Sequence, residues 1–277
     1  MTTPMISNRS RTLDLIQQPH ELLTLPERFL EIRSFLSSHR ANADTLAYII
    51  ETDLATAATL LKVANSSAYN PLGKPLASLP KAIARLGLAT SAQIAMSMSL
   101  LQGIRLPIAL QHIRQFWAHS FAVSQLCLRM SEELNDQAKK DLSDLFMAAL
   151  FHDIGRILIT LHVDALYFQR DFFNFHGAEL CQEERRVYGM DHAEVGQHVL
   201  MQWGMPESLI YVVAHHHEES GDVAAMLCSL ADQFVHEHWP TLQYIDAAQS
   251  MVHELSVDEV RAIFQAAPSL LPLLKEA

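Results

Sequence analysis

The string Phe151-His152-Asp153-Ile154-Gly155-Arg156 sets an imidazole beside a carboxylate in an otherwise apolar segment. On a helix, neighbouring residues point about 100° apart, so both reach one ion only if it sits against the helix between their directions. A divalent metal there needs further neutral imidazoles and carboxylates from other segments. The sequence offers them in order, each at the inner edge of an apolar stripe. His119 precedes the pair, His192 follows, then come His215 and His216, and finally Asp232 within Leu230-Ala-Asp-Gln-Phe234. An ionised carboxylate on an apolar helix is costly to bury unless paired or metal-bound, and Asp153 and Asp232 both present that problem. One shared cation would solve it for both. Mixed nitrogen and oxygen donors suit one or two ions of iron, manganese, nickel or zinc, and do not suit calcium.

Blander chemistry accounts for parts of the same set. A lone His in an apolar stripe is often a hydrogen-bonded core residue. A His-His-His run at a helix end can place imidazolium at the negative pole of the helix and cap its carbonyls. The metal reading is distinguished by order, with one candidate group or pair on each of five predicted helices. His20, His39, His112, His162, His176, His198, His236, His238 and His253 lack that pattern and read as surface or structural. In a catalytic site, Asp153 would be a metal ligand and water-orienting group. Arg156, a planar guanidinium fork, would neutralise a phosphate oxygen.

Positioning five such groups requires a helical frame, and nearly every segment has the helical period. Thr24…Glu27 has capping-box spacing, with Leu25, Phe29, Ile32 and Leu36 on one face. Helices are predicted over 44–51 and 53–64, the second with Leu54, Ala57, Leu61 and Ala64 inward, and 65–73 is a turn-rich loop. Ser78-Leu-Pro80 opens a helix that Gly87 ends, and a small-residue helix follows over 91–101 with Met96–Met98 packed inside. Gly103 and Pro107 mark the internal boundary. A long helix from Leu110 carries Phe116, His119, Val123, Leu126 and Met130 as a stripe, and 132–141 is a loop or frayed end. One helix, capped by Asp144, is expected to run from Leu145 through Arg156. Helix 180–188 stops at Gly189, and Asp191…Glu194 opens the next, which closes at Trp203-Gly204. Pro206-Glu207 starts a helix ending in His215–His217, Asp222 caps one running to about His238, and two more follow Pro240. Ser256…Glu259 is a second capping box. No period-two strand sequence, internal repeat or long linker is found, so the class is all-α.

Hydrophobic residues at 49% exclude a disordered or low-complexity chain. With 20 basic against 31 acidic residues the formal charge is −11, and no Lys/Arg cluster is large enough to track a phosphate backbone. General nucleic-acid binding is not expected. The longest apolar runs fall short of the ~20 residues of a membrane span, and no basic, then apolar leader opens the sequence. Three widely spaced cysteines, Cys127, Cys181 and Cys228, fit buried thiols in a reducing cytoplasm.

The ordered ligand set on an all-α chain resembles the HD superfamily of metal-dependent phosphohydrolases. Further motifs narrow the likeness. Leu60-Leu-Lys-Val-Ala-Asn-Ser-Ser-Ala-Tyr69, followed by Ser78-Leu-Pro-Lys-Ala-Ile-Ala-Arg-Leu-Gly87, is similar to the N-terminal half of HDOD domains, the HD-related output domains of bacterial signalling. So are Trp117-Ala-His-Ser120, Gly189-Met-Asp-His-Ala-Glu-Val-Gly196, Trp203-Gly-Met-Pro206 and the His215–His217 run. The resemblance covers roughly Pro26 to Phe234. It implies an N-terminal arm at 1–20, an N-terminal helical bundle at 21–107, an HD-like helical core at 108–238 and a C-terminal helical extension at 239–277.

The family also implies a regulatory module of bacterial signal transduction, acting on a signalling protein partner and away from membranes. His119, His152, Asp153 and Asp232 match the four-ligand HD set. His192, His215 and His216 match the extra ligands of the dinuclear HD-GYP subgroup. That subgroup hydrolyses cyclic di-GMP, but no Gly-Tyr-Pro follows His215–Glu218, Arg156 stands where its Lys is usual, and Gln115 stands where trinuclear members have Glu. Two readings remain: a metal-binding module working through protein contacts, and a metal-dependent phosphohydrolase acting on a nucleotide or phosphoester.

Overall fold

The computed structural model describes residues 8–17, 25–36, 38, 41–71, 73–103, 110–140, 142, 144–170 and 175–275. Among the described residues there are fifteen α-helices, three short 3₁₀ turns and no strand, only an isolated bridge between Leu134 and Leu274. The all-α class expected from the pattern is the class observed. Thr24, His20, His39, Pro107 and Asp141 lie outside the described residues.

The first six helices are α1 (Asn8–Ile16), α2 (Glu27–Leu36), α3 (Ala43–Glu51), α4 (Leu54–Ala64), α5 (Leu79–Leu86) and α6 (Leu88–Gly103). Their starts follow local chemistry. Asn42 accepts from Thr45 N at 2.9 Å to cap α3, and Asp53 accepts from the backbone of Ala55 and Thr56 at 3.0 and 3.1 Å to cap α4. Gly87 ends α5 at φ 87°, a conformation that favours glycine. Met96 and Met98 are buried, as expected. The phase of α4 is a correction: Leu54 is 82% exposed, and the buried residues are Thr56, Leu60, Val63 and Ala64. With Ala and Leu around most of that helix, periodicity alone left its inward face unfixed.

The second half comprises α7 (Leu110–Ser131), α8 (Leu145–Phe151), α9 (Ile154–His162), α10 (Gly177–Tyr188), α11 (His192–Gln202), α12 (Glu207–His215) and α13 (Val223–His238). Helices α14 (Ile245–Glu254) and α15 (Val257–Ile263) complete the chain. Helix α7 is the central post, lying against α8, α13 and α14, while α11 packs on both α9 and α12. Buried apolar residues form one continuous cluster from Ile16 to Leu270.

Two further features depart from expectation. The helix expected over 145–156 is interrupted at His152-Asp153 and continues as α9 to His162. The stretch Leu145–His162 has a mean hydropathy of 1.3 over 18 residues, enough by length and composition to cross a bilayer, yet 78% of it is buried in the protein's own core. The N-terminal arm contains α1, which docks on the α10–α11 turn. Thr12 donates to Tyr188 O at 2.8 Å, and Arg9 pairs with Glu194 at 2.6 Å. Gly189, at φ 74°, makes that turn, and a Cβ there would lie 2.7 Å from the Cα of Arg9.

Candidate metal centre

The interruption between α8 and α9 puts His152 and Asp153 at a corner of the core. His152 Nδ1 donates to Ala149 O at 2.7 Å, which fixes the ring and leaves Nε2 facing inward. Gly155 lies against the backbone of His192, where a Cβ would come within 2.7 Å of the carbonyl carbon. That close approach sets α9 against the start of α11. An Asp191–Glu194 capping box begins α11, and Arg185 pairs with the buried Asp191 at 2.5 Å.

Around this corner the buried rings share one arrangement. His216 Nδ1 donates to Val213 O at 2.8 Å, and His192 Nδ1 donates to Glu184 Oε2 at 2.7 Å. In each ring the Nδ1–H is fixed and Nε2 is the atom left to bind a cation in place of a proton, the usual outer-shell pattern of metal-bound histidine. Asp153 Oδ1 is 3.2 Å from His192 Nε2 and 4.0 Å from His216 Nε2. Its other oxygen, Oδ2, is 2.8 Å from Arg156 Nη1 and 3.7 Å from His152 Nε2. Asp232 Oδ1 is 2.9 Å from His119 Nε2 and 3.6 Å from His152 Nε2, and Asp232 Oδ2 is 4.0 Å from His217 Nδ1. His217 Nε2 faces His192 Nε2 at 3.2 Å.

Two sub-clusters thus share Asp153. One is His119, His152 and Asp153, with Asp232 alongside; the other is Asp153, His192, His216 and His217. The fit to a cation rests on orphaned atoms: His152 Nε2 and His216 Nε2 are buried and make no hydrogen bond. His192 and His217 point ring nitrogens at each other, an arrangement that repels unless a proton or a cation lies between them. These residues therefore fit a divalent transition metal.

Electrostatics state the same demand. Burial opposes ionisation of Asp153, but the Arg156 guanidinium and the His152 ring outweigh it and hold its pKa well below the carboxylate range. Asp232 is likewise opposed by burial and held well below by His119 and His152. Glu184 is lowered too, His192 overcoming its burial. Burial pushes His152 and His192 toward neutrality, yet their carboxylate neighbours, chiefly Asp153 for the first and Glu184 for the second, raise both to about 10. His216 is driven well below 6.5 by burial and by His217, and His217 falls to about 4 through burial and His192.

Of the residues singled out in the sequence, the fold brings together His119, His152, Asp153, His192, His216 and Asp232. His215 is a correction. Its Nδ1 donates to Tyr211 O at 2.8 Å, its ring stacks on Tyr211, and its side chain is 32% exposed. His217 converges on the cluster in its stead. Glu184 was also missed, although Leu180, Glu184 and Tyr188 form one buried stripe of α10. A lone carboxylate in such a stripe is the same signal that marked Asp153 and Asp232. Arg156 is held by Asp153 and lies 5.8 and 5.6 Å from the rings of Tyr167 and Phe168.

A cavity of about 700 Å³ opens onto this cluster. Asp153, His119, Asp232, His217 and Arg156 lie on its walls, together with the apolar Phe116, Trp239 and Leu242. His176 and His236, which read as surface or structural, line it as well, their ring centroids 3.3 Å apart.

The sequence profile of the HDOD domain matches residues 22–219. A protein of Treponema pallidum (strain Nichols) is 23% identical over 225 residues, 78% of this chain and 40% of that protein, so the chain spans about two fifths of the relative's length. An HDOD domain protein of unknown function from Geobacter sulfurreducens shares the fold at a TM-score of 0.67 and 21% identity, over 95% of this chain and 85% of that one. A proposed phosphohydrolase of Shewanella amazonensis SB2B aligns at 0.62 and 17% identity, over 95% of each chain. A proposed signal transduction protein of Marinobacter aquaeolei VT8 aligns at 0.62 and 18% identity, over 97% of this chain and 67% of that one.

Proposed function

The chain belongs to the HDOD domain family, and from that membership together with the buried histidine and aspartate cluster we propose a signal-transduction module that binds a divalent transition metal and acts through protein contacts. One observation carries the metal: among the three carboxylates of the cluster, the buried Asp153 and Glu184 and the half-buried Asp232, there is a single guanidinium, Arg156. The deficit of two positive charges is met by protons on imidazoles or by one divalent ion, and the unpartnered Nε2 atoms favour the ion. Iron, manganese, nickel and zinc all suit the donors.

A metal-dependent phosphohydrolase is the second reading, favoured by the cavity that opens directly onto Asp153, His119 and Asp232. An ion held there by His119, His152, Asp153 and Asp232 would lower the pKa of a bound water toward ~7. Asp153 would orient that water, while Arg156 would share its guanidinium between Asp153 and a phosphate oxygen. The apolar wall of Phe116, Trp239 and Leu242 would exclude bulk water from the reacting face.

Metal-loaded protein assayed against phosphomonoesters, cyclic dinucleotides and nucleotides separates the two. Absence of turnover, with a specific protein partner whose binding survives His152→Ala and Asp153→Ala, is the outcome expected for the module. Turnover abolished by both substitutions in folded protein would establish the hydrolase instead.

A further inference from the structure

We infer that Glu184 is a positioning residue of the metal centre: it fixes the tautomer and aim of His192, delivering that ring's Nε2 to the side of the cluster formed by Asp153, His216 and His217. The inference rests on the metal reading given above and adds to it an outer-shell residue.

Glu184 is completely buried and accepts three hydrogen bonds. Tyr167 Oη donates to Oε1, while the backbone N of His192 at 2.9 Å and its Nδ1 at 2.7 Å both donate to Oε2. A carboxylate only accepts, so Nδ1 carries a proton, and an ion that displaces the second proton of the ring binds through Nε2. The backbone bond holds the first residue of α11 in register with α10, and the Nδ1 bond sets the angle of the ring. At its other edge the ring meets Asp153 Oδ1 at 3.2 Å. Asp153 is gripped by Arg156 at 2.8 Å, and Arg156 lies over Tyr167, the donor to Glu184. Asp153, His192, Glu184, Tyr167 and Arg156 thus form a closed circuit in which each member limits the freedom of the next. His119 and Asp232, 2.9 Å apart, are anchored through α7 and α13 instead.

A carboxylate behind a ligating imidazole raises its basicity as well as aiming it, and losing such a partner typically weakens metal binding ~10–100-fold. A purely structural staple between α10 and α11 would change thermal stability without changing affinity. Three measurements on the full chain separate the two. Zinc affinity is measured by competition with a chromophoric chelator for wild type, Glu184→Gln and Tyr167→Phe, and Tm is measured alongside. Long-range ¹⁵N spectra of the zinc-loaded wild type report the His192 tautomer.

The expected result is a ~10–100-fold weaker zinc affinity in Glu184→Gln. A smaller loss is expected in Tyr167→Phe, which keeps the carboxylate, and in zinc-loaded wild type the His192 proton sits on Nδ1. Unchanged affinity in folded Glu184→Gln overturns the inference while leaving the metal reading intact. If that variant fails to fold, a wild-type His192 proton on Nε2 overturns the inference equally. Wild type that takes up no zinc, iron or manganese overturns the metal reading and this inference with it.

Discussion

Gly155→Ala tests the closest backbone approach in the site. The added Cβ would meet the carbonyl carbon of His192 at 2.7 Å and its Cα at 2.9 Å, with the carbonyl oxygen nearer still. Carbon atoms pack best at about 3.5–4.0 Å, so α9 and α11 must separate by roughly 1 Å. Both groups are backbone, so no side chain can swing aside. Overpacking of this kind costs about 1–3 kcal/mol, and the upper end applies here. Gly155 is the second residue of α9, so alanine returns only part of the roughly 1 kcal/mol it gains in a helix interior, and the net loss is roughly 2–3 kcal/mol. At roughly 2.1 cal/mol/K of unfolding entropy per residue, that lowers Tm by about 3–5 °C. The same displacement moves His192 away from Asp153, so metal affinity falls with Tm. Gly196→Ala is the graded comparison, because its Cβ would crowd only side-chain atoms, Val213 Cγ1 at 3.0 Å and Ile154 Cγ2 at 3.4 Å, and would meet backbone, Gly155 N, at an ordinary 3.5 Å. Gly221→Ala, with nothing within 4 Å, is the neutral control. Differential scanning calorimetry should rank the losses Gly155 > Gly196 > Gly221. A Gly155→Ala protein that melts at or above the wild-type temperature would refute the contact between α9 and α11 that assembles the site.

Protein stripped with a chelator should lose stability as pH rises from 7 to 10. His152 and His192 have folded pKa values near 10 against an ordinary value of ~6.5. Their contribution is therefore complete below ~6.5 and lost as pH climbs through the folded values. Melting temperatures across that range check it, and a rise toward pH 10 would contradict it. Asp191→Ala should destabilise more than Ser256→Ala. Both remove a capping box worth ~1 kcal/mol, but Asp191 is also buried and paired with Arg185. Urea unfolding compares them, and equal losses would mean that the buried pair adds nothing.

Much of the site was legible in the sequence, because ionisable groups on apolar stripes are expensive to bury without a partner. His119, His192 and Asp232 each sit on a helix whose phase the surrounding apolar residues fix, and His152 and Asp153 lie at the junction of two apolar helices. The histidine run was harder. Helix α12 ends at His215, His216 is its C-cap, and His217 lies in the turn beyond. Helical period says where 215 and 216 point only while the helix lasts, and the turn that brings 217 inward has no periodic signature. The break at His152-Asp153 was hidden for a related reason. Gly155, the one weak helix former nearby, falls two residues beyond the break, and its close packing on α11 is a tertiary contact with no periodic signature. Helix α1 escaped notice because its sequence is polar and only Thr12 and Ile16 are buried, so it has little stripe to read.

The measurement that tests the central claim most directly is elemental analysis of the purified full chain after expression with added iron, manganese or zinc. At least about one transition-metal ion per chain, lost together in Asp153→Ala and His192→Ala, is the expected result. Less than about 0.2 ions per chain in folded wild-type protein would mean that imidazolium protons alone balance Asp153, Asp232 and Glu184, contradicting the metal centre.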